Sequence, residues 1–193
     1  MNGSLKILLG GEGGQGVQSI AVVVAEAAYA EGKEVLYIPN FGVEQRGGVS
    51  IAFLQISDKP IASPKFKYAD VVVALSNRAV SRTQQYVGPR TVFLYDSAVD
   101  GAEDTLAGRG ARIMSIPALE TCRRESDPKV FNMVIMGALV GQTNAVSIEG
   151  VKTAVMRKMG DKFARQPELR ELNSRAIDRG LALVAFGAEE EAR

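Results

Sequence analysis

A run of glycines set between a strand-length apolar stretch and a helical one restricts this chain more than any other feature. Leu5–Leu9 is short and apolar, and Gly10-Gly11-Glu12-Gly13-Gly14-Gln15-Gly16 follows it directly. From Val17 to Glu31, Ile20, Val23, Val24, Ala27 and Ala28 recur at helical spacing, and Gly32 supplies the stop. Glu34–Ile38 is a second strand, ended by Pro39. Strand, glycine turn, helix and strand in that order open an α/β domain, and a crossover of this length favours a parallel pair.

The rest of the chain extends that pattern. Val49–Ile56 alternates between two largely apolar faces, as a covered strand does, and the turn chemistry of Ser57-Asp58-Lys59-Pro60 predicts a hairpin to Ile61-Ala62-Ser63. Asp70–Leu75 is a buried strand, Ser76 the N-cap of a helix over Arg78–Tyr86, and Thr91–Tyr95 and Ala111–Ile116 complete the strand set. Helices follow. Asp127-Pro128 is a start signal, and Val130–Val146 is apolar on nearly every face, which marks a buried helix. Gly137 and Gly141, four apart on it, allow close helix contact. Ser147 opens a helix to about Met159, and Pro167 opens a last one striped by Leu169, Leu172, Ala176, Ile177, Leu181 and Val184. The expected fold is α/β: a three-layer, Rossmann-like, mostly parallel sheet with helices on both faces and a helical C-terminal part. One domain over 1–193 is expected, with an α/β core over 1–146 and helices over 147–193.

Composition removes whole classes of chemistry. The 193 residues include no His, so no imidazole base, His-activated nucleophile or His-ligated metal is available. A lone Cys122 cannot hold an iron–sulphur cluster or form an internal disulfide. Lys and Arg total 23 against 22 Asp and Glu, a balance without the basic excess of a nucleic-acid binder. Met1–Leu5 carries no basic leader, and the longest apolar stretches, Ile20–Ala25 and Val71–Leu75, are too short to span a bilayer. A soluble, cytoplasmic chain is expected.

Two segments stand out as candidate sites. Gly11, Gly13, Gln15 and Gly16 belong to a G-x-G-x-x-G run placed after a strand and before a helix, where backbone N–H groups and the helix dipole attract an anion. A dinucleotide site also asks for an acidic residue at the end of the second strand, where this chain has Tyr37-Ile38-Pro39-Asn40; Glu44 comes several residues late, and Glu12 would repel a pyrophosphate. A close strand–helix corner and a phosphate or subunit contact therefore stay open beside the nucleotide reading. The second segment, Asn40 to Gly48, sets Glu44, Gln45 and Arg46 between glycines, with Gly47 and Gly48 closing it. It reads either as a crevice loop, neighbouring the glycine turn if their strands are adjacent, or as a surface turn with a weak Glu44–Arg46 pair. Elsewhere Arg123-Arg124 would lower the pKa of Cys122, although a bland thiol is the simpler reading. The cations Lys152, Arg157, Lys158, Lys162, Arg165 and Arg170 read as a solvated helical face, and Met133, Met136, Met156 and Met159 as core filling.

Taken in order, five stretches resemble the gamma subunit of the 2-oxoacid:ferredoxin oxidoreductases: Gly11–Val17, Phe41–Gly48, Ile56–Ile61 with Ser63-Pro64, Ala69–Leu75, and Asn132-Met133-Val134 with Gly137-Ala138-Leu139. The resemblance implies a part in complexes that oxidise pyruvate, 2-oxoglutarate, ketoisovalerate or indolepyruvate. Thiamine diphosphate, Mg and iron–sulphur clusters would then lie in partner alpha, beta and ferredoxin-like delta subunits, with coenzyme A as substrate and ferredoxin as acceptor. It implies a structural role for this chain on the coenzyme A side, with no nucleic acid or membrane partner. The wording of Val43-Glu44-Gln45-Arg46 favours the aliphatic 2-oxoacids. A stand-alone Rossmann-type nucleotide-binding oxidoreductase and a non-catalytic module binding a phosphorylated effector are the competing readings.

Overall fold

The computed structural model describes residues 3–41, 48–125 and 127–190, the last with side chains to 185. Six strands, β1 (Leu5–Gly11), β2 (Glu34–Asn40), β3 (Ser50–Ser57), β4 (Val71–Ala74), β5 (Val92–Asp96) and β6 (Arg112–Ile116), form one sheet in the order β2-β3-β1-β4-β5-β6. β1, β4, β5 and β6 are parallel, while β3 runs antiparallel to both β1 and β2. The helices are α1 (Val17–Ala30), α2 (Asn77–Thr83), α3 (Ala102–Leu106), α4 (Ala118–Glu125), α5 (Phe131–Thr143), α6 (Ile148–Arg165) and α7 (Glu168–Glu190).

Alternation along the strands sorts the core into two layers. Ile7, Leu9, Leu54, Val73 and Leu94 face one side, where they meet Ile20, Val24, Met136, Leu139 and Ile177 from α1, α5 and α7. Leu8, Val72 and Phe93 face the other, covered by Ala79, Val80 and Leu106 of α2 and α3. β4 is buried at every position because both faces are covered, which explains why its sequence does not alternate. α5 is buried from Met133 to Val140 without a break. It lies so close to α7 that a Cβ on Gly137 would overlap the Ile177 carbonyl oxygen, and one on Gly180 that of Val134. Gly141 meets Leu181 and Val184 in the same contact.

The α/β class, the mostly parallel sheet and the helices on both faces follow the sequence expectation, and four local readings change. β1 and β2 are not neighbours, because β3 is inserted between them. Its two apolar faces suit a central strand, and the short link from Asn40 to Ser50 pairs it antiparallel to β2. Ile61-Ala62-Ser63 forms no strand: β3 is already paired along both edges, and Pro60 and Pro64 remove donors a ladder would need. That segment is tied instead by the Gln55 side chain, whose Nε2 donates to the Ser63 carbonyl at 2.8 Å. The helix expected over Arg78–Tyr86 is α2 followed by a tighter turn at Gln84–Tyr86; Ser76 caps it, its hydroxyl accepting from the Ala79 N–H at 3.2 Å. α6 runs past Met159 to Arg165, since its apolar stripe continues to the buried Phe163.

Candidate functional site

Loops leaving the carboxyl ends of β1 and β4 part in opposite directions, the first through α1 to β2 and the second through α2 to β5. A crevice opens at such a divergence. Here it is a cavity of about 480 Å³ bounded by the glycine turn, Leu75–Asn77, the end of β5 and the start of α5.

The turn divides its glycines by task. A Cβ on Gly11 would lie 2.7 Å from Val17 Cγ2 and 2.9 Å from Gln15 Oε1, so Gly11 makes room for the loop to fold back. Gly16 adopts φ 77° as the N-cap of α1, and a Cβ there would stand 2.9 Å from that of Asn132. Gly13 and Gly14 face open space. Gln15 is a brace: its Oε1 accepts from the Glu12 N–H at 2.7 Å, and its Nε2 donates to the Leu75 carbonyl at 2.6 Å. The glutamine thereby fixes the turn to the end of β4.

Gly48 belongs to this neighbourhood too. With Phe41 and Ser50 it walls a smaller cavity of about 340 Å³ on the other side of Gly13 and Gly16. Glu44, Arg46 and Gly47 lie outside the described residues. A polar network holds the strands in place there: the Tyr37 hydroxyl donates to Gln18 Oε1 at 2.5 Å, and Gln18 Nε2 donates to Ser50 Oγ at 2.6 Å and the Ile51 carbonyl at 3.1 Å. Burial raises the Tyr37 pKa, so this hydroxyl stays a donor.

The structure adds residues that the sequence did not mark as site candidates. Asn132 stands against Gly16 and lines the crevice, and its amide makes no hydrogen bond to any described residue. Lys129 stands at the mouth, exposed, 3.9 Å from Asp127 Oδ2. Asp96 is buried in the floor, where its two oxygens accept from the Ala98 N–H at 3.0 Å and the Leu119 N–H at 2.9 Å, capping α4 from across the sheet end. In the sequence Asn132 stands out only within the Asn132-Met133-Val134 stretch of the family resemblance and as an amide at the head of an apolar helix.

Cys122 follows the bland reading. The neighbouring arginines do not activate it; burial, then the charges of Asp96, Asp127 and Glu125, push its thiol up to about 11. The dinucleotide reading loses its geometry as well. β3 separates the glycine turn from the end of β2, so the position for a ribose-binding acid is displaced by a whole strand. Among the described residues no group of three His, Cys, Asp or Glu is placed to hold a metal ion, and no helix is long and apolar enough to cross a membrane.

Comparison with known proteins is consistent in kind. The family described as pyruvate ferredoxin/flavodoxin oxidoreductase matches residues 6–183. Ketoisovalerate oxidoreductase subunit VorA of Methanothermobacter thermautotrophicus is 30% identical over 188 residues, 97% of this chain and 38% of VorA. Pyruvate synthase subunit PorC of Methanothermobacter marburgensis is 33% identical over 167 residues, 83% of this chain and 92% of PorC. Among solved structures, 2-oxoglutarate:ferredoxin oxidoreductase from Magnetococcus marinus, with 2-oxoglutarate, coenzyme A and succinyl-CoA bound, superimposes with a TM-score of 0.87 at 28% identity, over 96% of this chain and 32% of that one. The gamma subunit of a keto/oxoacid ferredoxin oxidoreductase from Geobacter sulfurreducens gives 0.77 at 26% identity, over 95% and 98%. The chain thus spans little more than a third of VorA and nearly all of the separate subunits.

Proposed function

Because the chain belongs to the pyruvate ferredoxin/flavodoxin oxidoreductase family, we propose that it is the gamma subunit of a complex that oxidatively decarboxylates a 2-oxoacid and passes the acyl group to coenzyme A. In this reading the complex is cytoplasmic. Alpha, beta and ferredoxin-like delta subunits hold thiamine diphosphate, Mg and the iron–sulphur clusters, and ferredoxin takes the electrons. Thiamine diphosphate supplies the carbanion chemistry of decarboxylation when bound in such a partner. The chain has no His and its one thiol is buried, so it supplies neither an imidazole base nor a cysteine set for a cluster.

What the chain contributes is a shaped, anion-accepting wall. Gln15 holds the glycine turn shut at its base, Gly13 and Gly14 keep the approach free of side chains, and Asn132 and Lys129 add donors at the rim. The observation that carries the reading is this crevice at the divergence of β1 and β4, in a chain of this family. A phosphorylated substrate such as coenzyme A suits it, because Lys129 lines the crevice and the start of α1 borders the smaller cavity on the other side of the glycine turn.

The test uses the assembled complex. Lys129→Ala and Arg46→Ala should each raise the KM for coenzyme A by about tenfold, the worth of one charge-assisted contact, with little change in the KM for the 2-oxoacid. Unchanged coenzyme A kinetics in both variants would refute the coenzyme A role.

A further inference from the structure

A second cavity, of about 560 Å³, lies where α1, α5, α6 and the first turns of α7 meet, and its volume is that of a small-molecule site. Val23, Val130 and Val155 are buried in its floor, and Met159, Leu169 and Leu172, half-buried, form its walls. Its mouth is cationic. Lys129, Lys158 and Lys162 line it, against the single carboxylate of Asp127. That carboxylate is engaged, Oδ1 accepting from the Lys129 N–H at 2.9 Å and Oδ2 lying 3.9 Å from the Lys129 ammonium.

Lys158 and Lys162 are four apart on α6, so they share a face and repel each other. Neither has an ion-pair partner among the described residues. Lys152 on the same helix, by contrast, pairs with Asp178 at 2.7 Å and Glu149 at 3.5 Å. Two uncompensated ammonium groups over an apolar recess are complementary to a molecule with an apolar body and an anionic end. We propose that this cleft binds a soluble amphiphilic anion, an alkyl or aryl chain of medium length ending in a carboxylate or phosphate. The chain seats against Val23, Val155 and Met159, and the anion sits between Lys158 and Lys162. The cleft shares Lys129 and Asn132 with the crevice at the glycine turn, but Lys158, Lys162 and the apolar recess lie outside that crevice, and the proposal does not rest on the reading given for it.

The probes are decanoate, decyl phosphate and the neutral 1-decanol, titrated calorimetrically into the full-length chain. Decanoate and decyl phosphate should bind saturably at one site, 1-decanol at least tenfold more weakly. The double variant Lys158→Glu/Lys162→Glu should weaken decanoate at least tenfold, and Met159→Trp, which fills the recess, should abolish binding while the circular dichroism spectrum is kept. If the charge reversals disturb folding, Lys158→Gln/Lys162→Gln decides, with an expected weakening of at least threefold. Equal decanoate affinity in the parent and the charge variants would overturn the proposal, as would 1-decanol binding as tightly as decanoate. Sedimentation with phosphatidylglycerol vesicles without any binding of decanoate would equally overturn it, by moving the lysines to a bilayer surface.

Discussion

Glycine does opposite work in two regions of this molecule. Between α5 and α7, Gly137 and Gly180 are needed because the opposite helix backbone occupies the place of a side chain. In the turn after β1, Gly13 and Gly14 have nothing within 4 Å among the described residues. The first pair is explained by helix packing and Gly14 by its φ of 92°, whereas Gly13 is explained by neither. Burial separates the regions in the same way: Met133 to Val140 are enclosed on all sides, whereas Lys129 and the turn stand at an open rim. Packing accounts for one region, and the proposed function for the other.

The sharpest way to break this contrast is to place side chains at both sets of positions. Gly180→Val or Gly137→Val should cost at least about 3 kcal/mol of stability in urea denaturation, because the colliding atoms are backbone and the helices must separate. A loss below about 1 kcal/mol would mean that the helix contact is looser than described. Gly16→Ala comes next, at about 2 kcal/mol, since it combines φ 77° with a clash on Asn132. Asn132→Gly in the same chain should recover part of that loss and leave the dihedral share.

Gln15→Leu removes the hydrogen bonds to Glu12 and Leu75 and should cost about 1–2 kcal/mol. Gln15→Glu keeps the acceptor for the Glu12 N–H but loses the donor to the Leu75 carbonyl, so it should not restore the parent melting temperature. Cys122 sharpens the comparison from the packed side. Its folded pKa of about 11 is raised, so the protonated thiol is favoured by folding. The associated stability is complete below the pKa of an exposed thiol, near 8.5, and is lost as pH rises through about 11. At pH 8 a thiol reagent should label the folded chain far more slowly than the urea-unfolded chain, and fast labelling of the folded chain would contradict its burial. The smallest effect belongs to Gly13→Ala, within about 0.5 kcal/mol of the parent, because that position is open and its φ is not in the left-handed region.

The parts of the fold legible in the sequence are those set by local chemistry. Apolar runs at Leu5–Leu9 and Val71–Leu75 give strands, and Ser76 and Ser147 cap helices as their positions indicate, the Ser147 hydroxyl accepting from the Gly150 N–H at 3.0 Å. What was not legible depends on pairing between distant segments. Nothing in Val49–Ile56 alone says that it will slip between β1 and β2, and α3 offers only Ala102 and Leu106 as buried residues in an acidic stretch. The site divides likewise. The glycine turn is local and stands out, whereas the bringing together of Ser76, Asp96, Lys129 and Asn132 joins three segments distant in sequence. Gly11 and Gly16, which the sequence marks as candidate ligand positions, pack against this chain's own atoms, Gly13 and Gly14 keep the open faces, and Gly48 lines the smaller cavity.

Dependence on partner subunits is the claim beneath the functional reading, and one assay addresses it. The purified chain is incubated with a 2-oxoacid, coenzyme A and oxidised ferredoxin, first alone and then after recombination with the alpha and beta subunits proposed as its partners, while ferredoxin reduction is followed by absorbance. No reduction by the chain alone, with acyl-CoA formed and ferredoxin reduced only after recombination, is the expected result; turnover by the isolated chain, or full turnover by the partners without it, would contradict it.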